Sequence, residues 1–129
     1  MTSEELLQHA MKAGENAVAT LSGFKVGAAL LTAEGRVYTG CNIENATYGL
    51  TVCAERVALW KALSEGERAF ARIAVASGGE RPAAPCGACR QLLWEFCGDL
   101  EVVLGNAAGV KELYPLAELF PRPFDQRSL

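Results

Sequence analysis

The sequence predicts a three-layer α/β/α domain built on a mixed five-stranded sheet. Helix-like and strand-like segments follow the order α-β-β-α-β-α-β-β-α. The first two strands flank a short turn at residues 33–36 and form a predicted hairpin, whereas the later strands are joined through helices long enough for parallel crossovers. The 129 residues suffice for one compact domain and are too few for two, so we expect residues 1–129 to form a single domain.

The first half of the chain predicts a helix followed by the hairpin. Thr2 and Glu5 have the spacing of a capping box, and the apolar residues after them recur at helical spacing, which predicts an amphipathic helix over residues 3–19. Apolar residues 24–32 predict the first strand, and residues 37–41 the second. The polar segment 42–49 then predicts a loop.

The second half alternates helices and strands. Gly66 and Gly98 end the two main helices, Ser77 to Pro85 forms a loop rich in glycine and proline, and Pro115 opens a short last helix. The predicted segments are helix 52–66, strand 71–77, helix 87–97, strand 100–105 and a weak strand 111–114.

Composition and charge narrow the class of ligand. Apolar residues make up 50% of the chain, which suits a folded domain. The 12 basic and 15 acidic side chains give a net charge of −3 without any basic run, which argues against binding to long nucleic acids. No apolar run approaches the roughly 18 residues that span a membrane, and residues 1–5 lack a secretory signal pattern. We therefore expect a cytoplasmic protein with a small-molecule ligand and no nucleic-acid or membrane partner.

Three of the five cysteines form a candidate metal site. Cys53 opens the middle helix, and Cys86 and Cys89 share one face of the first turn of the next helix. The positive end of the helix dipole favours thiolates, which are the form that binds zinc. Three ligands would leave the fourth tetrahedral position open to water, as in catalytic zinc sites. The odd cysteine count and the Cys-x-x-Cys pair argue against a disulfide framework.

Other interpretations of the cysteines remain open at this stage. Cys86 and Cys89 alone fit a structural zinc knuckle or a redox pair. Cys41 or Cys97 could supply a fourth ligand, although their positions at a strand end and at a helix C-terminus favour small buried apolar side chains. His9, the only histidine, falls in the middle of a helix and is predicted to be a solvated residue.

Charged residues next to the cysteines suggest that the metal site is catalytic. Glu55 follows Cys53 by two positions, where a carboxylate can accept a proton from water and pass it to a leaving group. Arg56 and Arg90 each lie beside a cysteine motif. Three thiolates and one divalent cation carry a net charge of −1, so we expect both arginines to offset the excess negative charge near the sulfurs.

These motifs resemble a known family. The segment Cys53-Ala54-Glu55 followed by Pro85-Cys86-Gly87-Ala88-Cys89 is similar to the zinc-dependent nucleoside deaminases, whose signature includes a glutamate that does not bind the metal. Residues 24–30, 40–46, 53–56 and 85–91 together resemble the small homotetrameric cytidine deaminases within the cytidine/deoxycytidylate deaminase superfamily, and the resemblance extends over residues 3–129.

The resemblance implies a reaction, a cofactor and a set of site residues. It implies hydrolytic conversion of cytidine and 2′-deoxycytidine to the uridines with release of ammonia, in pyrimidine salvage, with one Zn²⁺ per chain and active sites shared within a homotetramer. Glu55 would transfer protons between water, ring N3 and the leaving amine, and zinc would be held by Cys53, Cys86 and Cys89. The implied substrate contacts are Phe24 on the pyrimidine, Asn42 and Glu44 on the ribose, Ala54 and the Cys86 region on the base edge, and Ala46, Tyr48 and Phe124 from neighbouring subunits.

Alternatives to this function remain. The chain could be a non-catalytic, zinc-stabilised interaction domain or a thiol oxidoreductase, and within the deaminases it could act on a modified cytosine nucleoside such as an antibiotic. Asn42 and Glu44 could be turn formers, and Phe24 could belong to the core as well as to a pocket wall. Trp60 and Trp94 are predicted to lie in the core or in a subunit interface.

Overall fold

The computed structural model describes all 129 residues and contains one five-stranded sheet with strand order β2-β1-β3-β4-β5. Strand β1 pairs antiparallel with both β2 and β3, β3 pairs parallel with β4, and β4 pairs antiparallel with β5. The predicted mixed sheet is therefore confirmed. The strands are β1 Val26–Thr32, β2 Val37–Cys41, β3 Phe70–Ser77, β4 Glu101–Asn106 and β5 Lys111–Pro115.

Helices cover both faces of this sheet. The helices are α1 Ser3–Gly14, α2 Ala54–Ser64, α3 Gly87–Cys97 and the short α4 Leu116–Leu119. On one face, Leu6 and Ala10 of α1 pack on a small cluster that includes Ala29 and Val103. On the other face, α2 and α3 cover the larger core, to which Leu93 contributes. This arrangement is the predicted three-layer α/β/α architecture. None of the helices combines the length and apolar composition needed to cross a membrane.

The first helix is shorter than predicted, because it ends at Gly14 rather than at residue 19. It lies so close to β1 that a Cβ atom on Gly27 would come within 1.8 Å of the Ala10 carbonyl oxygen. After the turn that follows Gly14, the Val18 amide donates to the Asn42 carbonyl (3.0 Å) and its carbonyl accepts from the Glu44 amide (2.8 Å). The hydrogen bonds to the 42–44 segment therefore override the helical periodicity of residues 15–19.

The second helix also rests directly on the sheet, and this contact fixes the start of α2. A Cβ atom on Gly40 of β2 would lie 2.5 Å from the Ala54 carbonyl oxygen and 2.7 Å from the Ala58 amide nitrogen. Gly40 therefore allows the first turns of α2 to pack backbone against backbone on β2. The helix begins at Ala54, two residues after the predicted start, and Cys53 is its N-cap residue. Helix α3 has the predicted bounds, with Cys86 as its N-cap residue.

Candidate metal centre and active site

The three predicted cysteine ligands lie together at the N-termini of α2 and α3. Their sulfur atoms all lie within 4.8 Å of one another, and the Cys53 and Cys86 sulfurs are 4.0 Å apart. Tetrahedral zinc with Zn–S bonds of ~2.3 Å separates its sulfur ligands by about 3.8 Å. Cys53 and Cys86 are N-cap residues, and Cys89 lies in the first turn of α3, where the helix dipole favours negative charge. The geometry of the donor set therefore fits zinc.

The thiol pKa values show why this cluster suits a cation. The pKa of Cys53 is lowered to about 6, because the Cys89 thiol donates to its sulfur and because the Arg56 charge is close. The pKa of Cys89 is strongly raised, because its hydrogen bond to Cys53 and its burial both favour the protonated thiol. Neighbouring thiolates repel one another, so a cation between the sulfurs favours their ionised form.

The other two cysteines do not extend the cluster. Cys53, Cys86 and Cys89 form the one group of three or more potential metal-ligating side chains in the chain, and neither Cys41 nor Cys97 belongs to it. Burial raises the pKa of the Cys97 thiol to about 12, which disfavours the thiolate that zinc would need. The cluster thus offers three protein ligands, as predicted for a catalytic site.

Glu55 is a buried carboxyl group beside this cluster. Its side chain is only 5% exposed, and no other side chain of the protein forms a hydrogen bond with it. Desolvation raises its pKa to about 7, and the nearby Cys53 charge acts in the same direction. A buried carboxyl group is normally paired. A buried carboxyl group that lines a cavity and has no side-chain partner, as Glu55 does, is therefore the arrangement expected of a proton-transfer group.

The two arginines predicted to act beside the cysteines occupy different positions. The Arg56 guanidinium faces the sulfurs, and its hydrogen bonding to Cys89 and the charges of Cys89 and Cys53 raise its pKa. By contrast, Arg90 Nε donates to the Pro85 carbonyl (2.7 Å) and its Nη1 to the Leu119 carbonyl (2.5 Å). Arg56 can thus offset charge at the cluster, whereas Arg90 holds backbone next to it.

A cavity of about 220 Å³ is lined by Glu55 and by two of the three clustered cysteines, Cys53 and Cys86. This volume lies below the range of about 300–1,000 Å³ that is typical of ligand pockets, which favours a small ligand. The lining residues predicted from the sequence are Phe24, Asn42, Ala54 and Glu55 together with Cys53 and Cys86. Sequence reasoning missed six others, which are Val26, Thr51, Val52, Val75, Ala83 and Ala84.

Asn42 and Glu44 lie in adjoining hollows and also hold local backbone. Asn42 accepts from the Val26 amide (2.9 Å) and donates to the Phe24 carbonyl (2.8 Å). The Glu44 carboxylate accepts from the Leu21 and Ser22 amides (2.9 and 3.0 Å) and from the Ser22 hydroxyl, and these bonds lower its pKa. The predicted turn-forming and ligand-binding roles are compatible, because each side chain retains unused hydrogen-bonding capacity.

A second hollow adjoins the cavity at Thr51. It is lined by Glu44 and Tyr48 among others. The Tyr48 side chain is 81% exposed and the Phe124 side chain 63% exposed. Phe124 lines neither hollow, although its carbonyl accepts from Gln91 Nε2 at 2.8 Å. Ala46 is exposed as well.

The remaining residues of interest lie outside the site. His9 is exposed on α1, as predicted. Trp94 is half-buried, and its indole N–H donates to the Asp125 carboxylate at 3.0 Å. Trp60, on the outer surface of α2, is half exposed. Neither tryptophan lines the cavity beside Glu55.

The fold and the site together define a zinc-binding deaminase domain, and comparison with known proteins agrees. Residues 1–106 match the family model of the cytidine and deoxycytidylate deaminase zinc-binding region. The chain therefore belongs to the cytidine and deoxycytidylate deaminase family.

Individual relatives extend over nearly the whole chain. A protein named cytidine deaminase from Sporosarcina psychrophila is 47% identical over 100% of this chain and 96% of its own length. One from Halalkalibacterium halodurans is 50% identical over 96% of this chain and 95% of its own length. The crystal structure of cytidine deaminase from Burkholderia pseudomallei superposes with a TM-score of 0.93 at 50% identity, covering 96% of this chain and 100% of that one.

Proposed function

We propose that this chain catalyses the zinc-dependent hydrolytic deamination of cytidine and 2′-deoxycytidine to uridine and 2′-deoxyuridine, with release of ammonia. The observation that carries the proposal is the buried carboxyl group of Glu55, which lines the same cavity as Cys53 and Cys86 of the cysteine cluster. The relatives named cytidine deaminase, at 47% and 50% identity, support the choice of substrate. A purely structural zinc site has no need of this carboxyl group.

Different residues of the chain bind zinc and transfer protons in the proposed reaction. Cys53, Cys86 and Cys89 would hold zinc, which supplies Lewis acidity and makes water nucleophilic near neutral pH. Glu55 takes one proton from the attacking water and delivers it to ring N3, and it then passes the second proton of that water, from the new C4 hydroxyl, to the amino group. A C4–O bond forms, the C4–N bond breaks, and ammonia leaves. The burial of Glu55 favours this exchange, because its carboxyl group can hold a proton near pH 7.

The neighbouring side chains would position the nucleoside. In this proposal, Phe24 packs on the pyrimidine, and the Ala54 backbone with the Cys86 region holds the base edge. Glu44 would accept a hydrogen bond from a ribose hydroxyl, since its ionised carboxylate has about four acceptor positions and three are used within the chain. Asn42, which also lines the cavity, likewise retains one N–H donor and one acceptor position.

The proposed activity is tested by a turnover assay on zinc-loaded protein. Cytidine and 2′-deoxycytidine are each mixed with protein of measured zinc content, and both the released ammonia and the loss of ultraviolet absorbance are followed. We expect turnover of both nucleosides and its loss after treatment with a strong chelator. Fully metallated protein that releases no ammonia from either nucleoside would contradict the proposal.

We further propose that Arg56 offsets the net charge of −1 that three thiolates and Zn²⁺ carry. Replacing Arg56 with glutamine is expected to leave zinc bound and to slow turnover by roughly tenfold, which corresponds to about 1.4 kcal/mol. Arg56→Lys, which keeps the positive charge, should recover most of the rate. Zinc content and kcat are measured for both variants, and a wild-type kcat for Arg56→Gln would refute the charge-compensation role.

We propose that the protein is a homotetramer in which Ala46, Tyr48 and Phe124 complete the sites of neighbouring subunits. The support is the exposure of Tyr48, Leu50 and Phe124, which are large apolar side chains close to the site or on the C-terminal segment. We also propose that the protein acts in a reducing compartment such as the cytoplasm, because a reducing environment favours three reduced thiols at the metal site.

Mixing two defective chains tests whether sites are shared. Glu55→Gln removes the acid-base group of its own site, and Phe124→Ala removes the side chain offered to a neighbour. We expect co-expressed chains to regain activity above the sum of the two separate variants, because a hybrid assembly contains sites with Glu55 from one chain and Phe124 from another. Activity equal to that sum would show that each site is built from a single chain.

A further inference from the structure

The loop between β3 and α3, residues 78–85, is held entirely by side chains. It forms no hydrogen bond with the backbone of any other residue. Its four hydrogen bonds come from Ser77, Asn106 and Arg90. It begins with two glycines, and Gly79 has a φ of +97°, so the sequence gives little rigidity to the start of the loop, which Asn106 holds.

The anchors Ser77 and Asn106 end two neighbouring parallel strands. They are paired in register at the carboxyl ends of β3 and β4, and they are 6% and 2% exposed. Ser77 Oγ accepts from the Ala83 amide at 3.2 Å. Asn106 Nδ2 donates to the carbonyls of Gly79 and Glu80, both at 3.1 Å, while its Oδ1 accepts from the Val110 amide at 3.0 Å.

The loop connects these anchors to the site. Ala83 and Ala84 form part of the cavity wall beside Glu55, and Cys86 follows the end of the loop directly. At that end, Arg90 Nε holds the Pro85 carbonyl. Moving the loop would therefore change the width of the cavity where the pyrimidine is proposed to lie, while Arg90 and α3 still hold the metal-ligating end.

We propose that Ser77, Asn106 and Arg90 are positioning residues that fix the 78–85 loop as a wall of the nucleoside cavity and thereby set the affinity for substrate. This inference rests on the proposed function, because the cavity is taken to bind a nucleoside. Ser77 and Asn106 act at the wall itself, and Arg90 acts at the junction with the metal ligands. None of the three touches the reacting atoms.

A pair of matched variants tests the proposal. Ser77→Ala removes the acceptor for the Ala83 amide. Thr32→Val removes an equivalent acceptor at the opposite end of the sheet, where the Thr32 side chain, 2% exposed, accepts from the Arg36 amide at 2.9 Å. Both variants leave one loop amide without its partner, so similar losses of thermal stability are expected. Only Ser77→Ala should alter the cavity wall.

The expected KM values distinguish an effect on the cavity wall from a general loss of stability. Ser77→Ala should raise KM for cytidine about tenfold, as expected when a buried hydrogen bond is lost, with wild-type zinc content and a smaller change in kcat. Thr32→Val should leave KM unchanged. Asn106→Asp, which keeps the acceptor for Val110 but places oxygen against the Gly79 and Glu80 carbonyls, should raise KM as well. A wild-type KM in both loop variants, or an equal rise in Thr32→Val, would overturn the proposal.

Amide hydrogen exchange gives a readout that does not depend on activity. The Ala83 amide should exchange faster in Ser77→Ala, and the Arg36 amide faster in Thr32→Val. If zinc-loaded wild-type protein turns over neither nucleoside, the proposed function fails while exchange at Ala83 still decides whether Ser77 holds the loop. Unchanged exchange at Ala83 in Ser77→Ala would overturn the inference on its own.

Discussion

Replacing Glu55 with glutamine is expected to lower kcat for cytidine by about 10²–10⁴-fold, the usual contribution of general acid-base catalysis. Glutamine has nearly the same shape, so the cavity and the start of α2 are retained. Its amide cannot accept the proton of water or deliver one to ring N3. Zinc should stay bound, because Glu55 is not among the three clustered side chains.

The control for this variant is a glutamate far from the site. Glu67 accepts hydrogen bonds from Arg36 and Tyr38, and its side chain is largely covered. Glu67→Gln should lose some thermal stability and keep wild-type turnover. The catalytic role of Glu55 would have to be abandoned if Glu55→Gln kept kcat within a few-fold of wild type at equal zinc content.

Replacing Cys89 with alanine is expected to abolish zinc binding and turnover together and to lower stability. Cys89 is 1% exposed, and its sulfur lies within 4.8 Å of the other two. Two remaining sulfurs cannot complete a catalytic zinc site, which normally uses three protein ligands. A metal present at about 1,000 times its dissociation constant stabilises the folded state by about 4 kcal/mol, and this contribution would be lost.

Cys97→Ala provides the matched control on the same helix. Cys97 is the last residue of α3 and lies outside the cluster. This variant should retain one zinc per chain and full turnover, with only the modest stability loss expected when a partly buried side chain is shortened. Elemental analysis and thermal unfolding with and without chelator measure both effects. One zinc per chain in Cys89→Ala would show that the ligand set is wrong.

The sequence predicted the elements whose signals are local. The end of α3 follows from Gly98, which is a short-range stop signal. The end of α1 could not be predicted in this way. It depends on the contact with Gly27 and on the pairing of Val18 with the distant segment around Ile43, and both form only in the folded chain.

The candidate site also contains residues with local sequence signals and residues whose roles depend on long-range contacts. Cys53 and Glu55 stand out because a metal ligand and a carboxylate two residues apart at a helix start suggest a specific chemistry. Ser77 and Asn106 carry no such signal individually. One clue was available, since both are polar residues at the carboxyl ends of predicted strands, where ligands gather in open α/β sheets. Their joint action depends on the pairing register of β3 and β4.

The backbone contact between Gly40 and α2 has a consequence for how this family can diverge. Gly40 does not line the cavity, yet any larger side chain there would push the helix outward and carry Cys53 and Glu55 with it. A larger residue at position 40 would therefore shift Glu55 relative to Cys86 and Cys89 at the start of α3 without changing any active-site residue. We therefore expect glycine at position 40 to be as strongly constrained as the residues that line the active site.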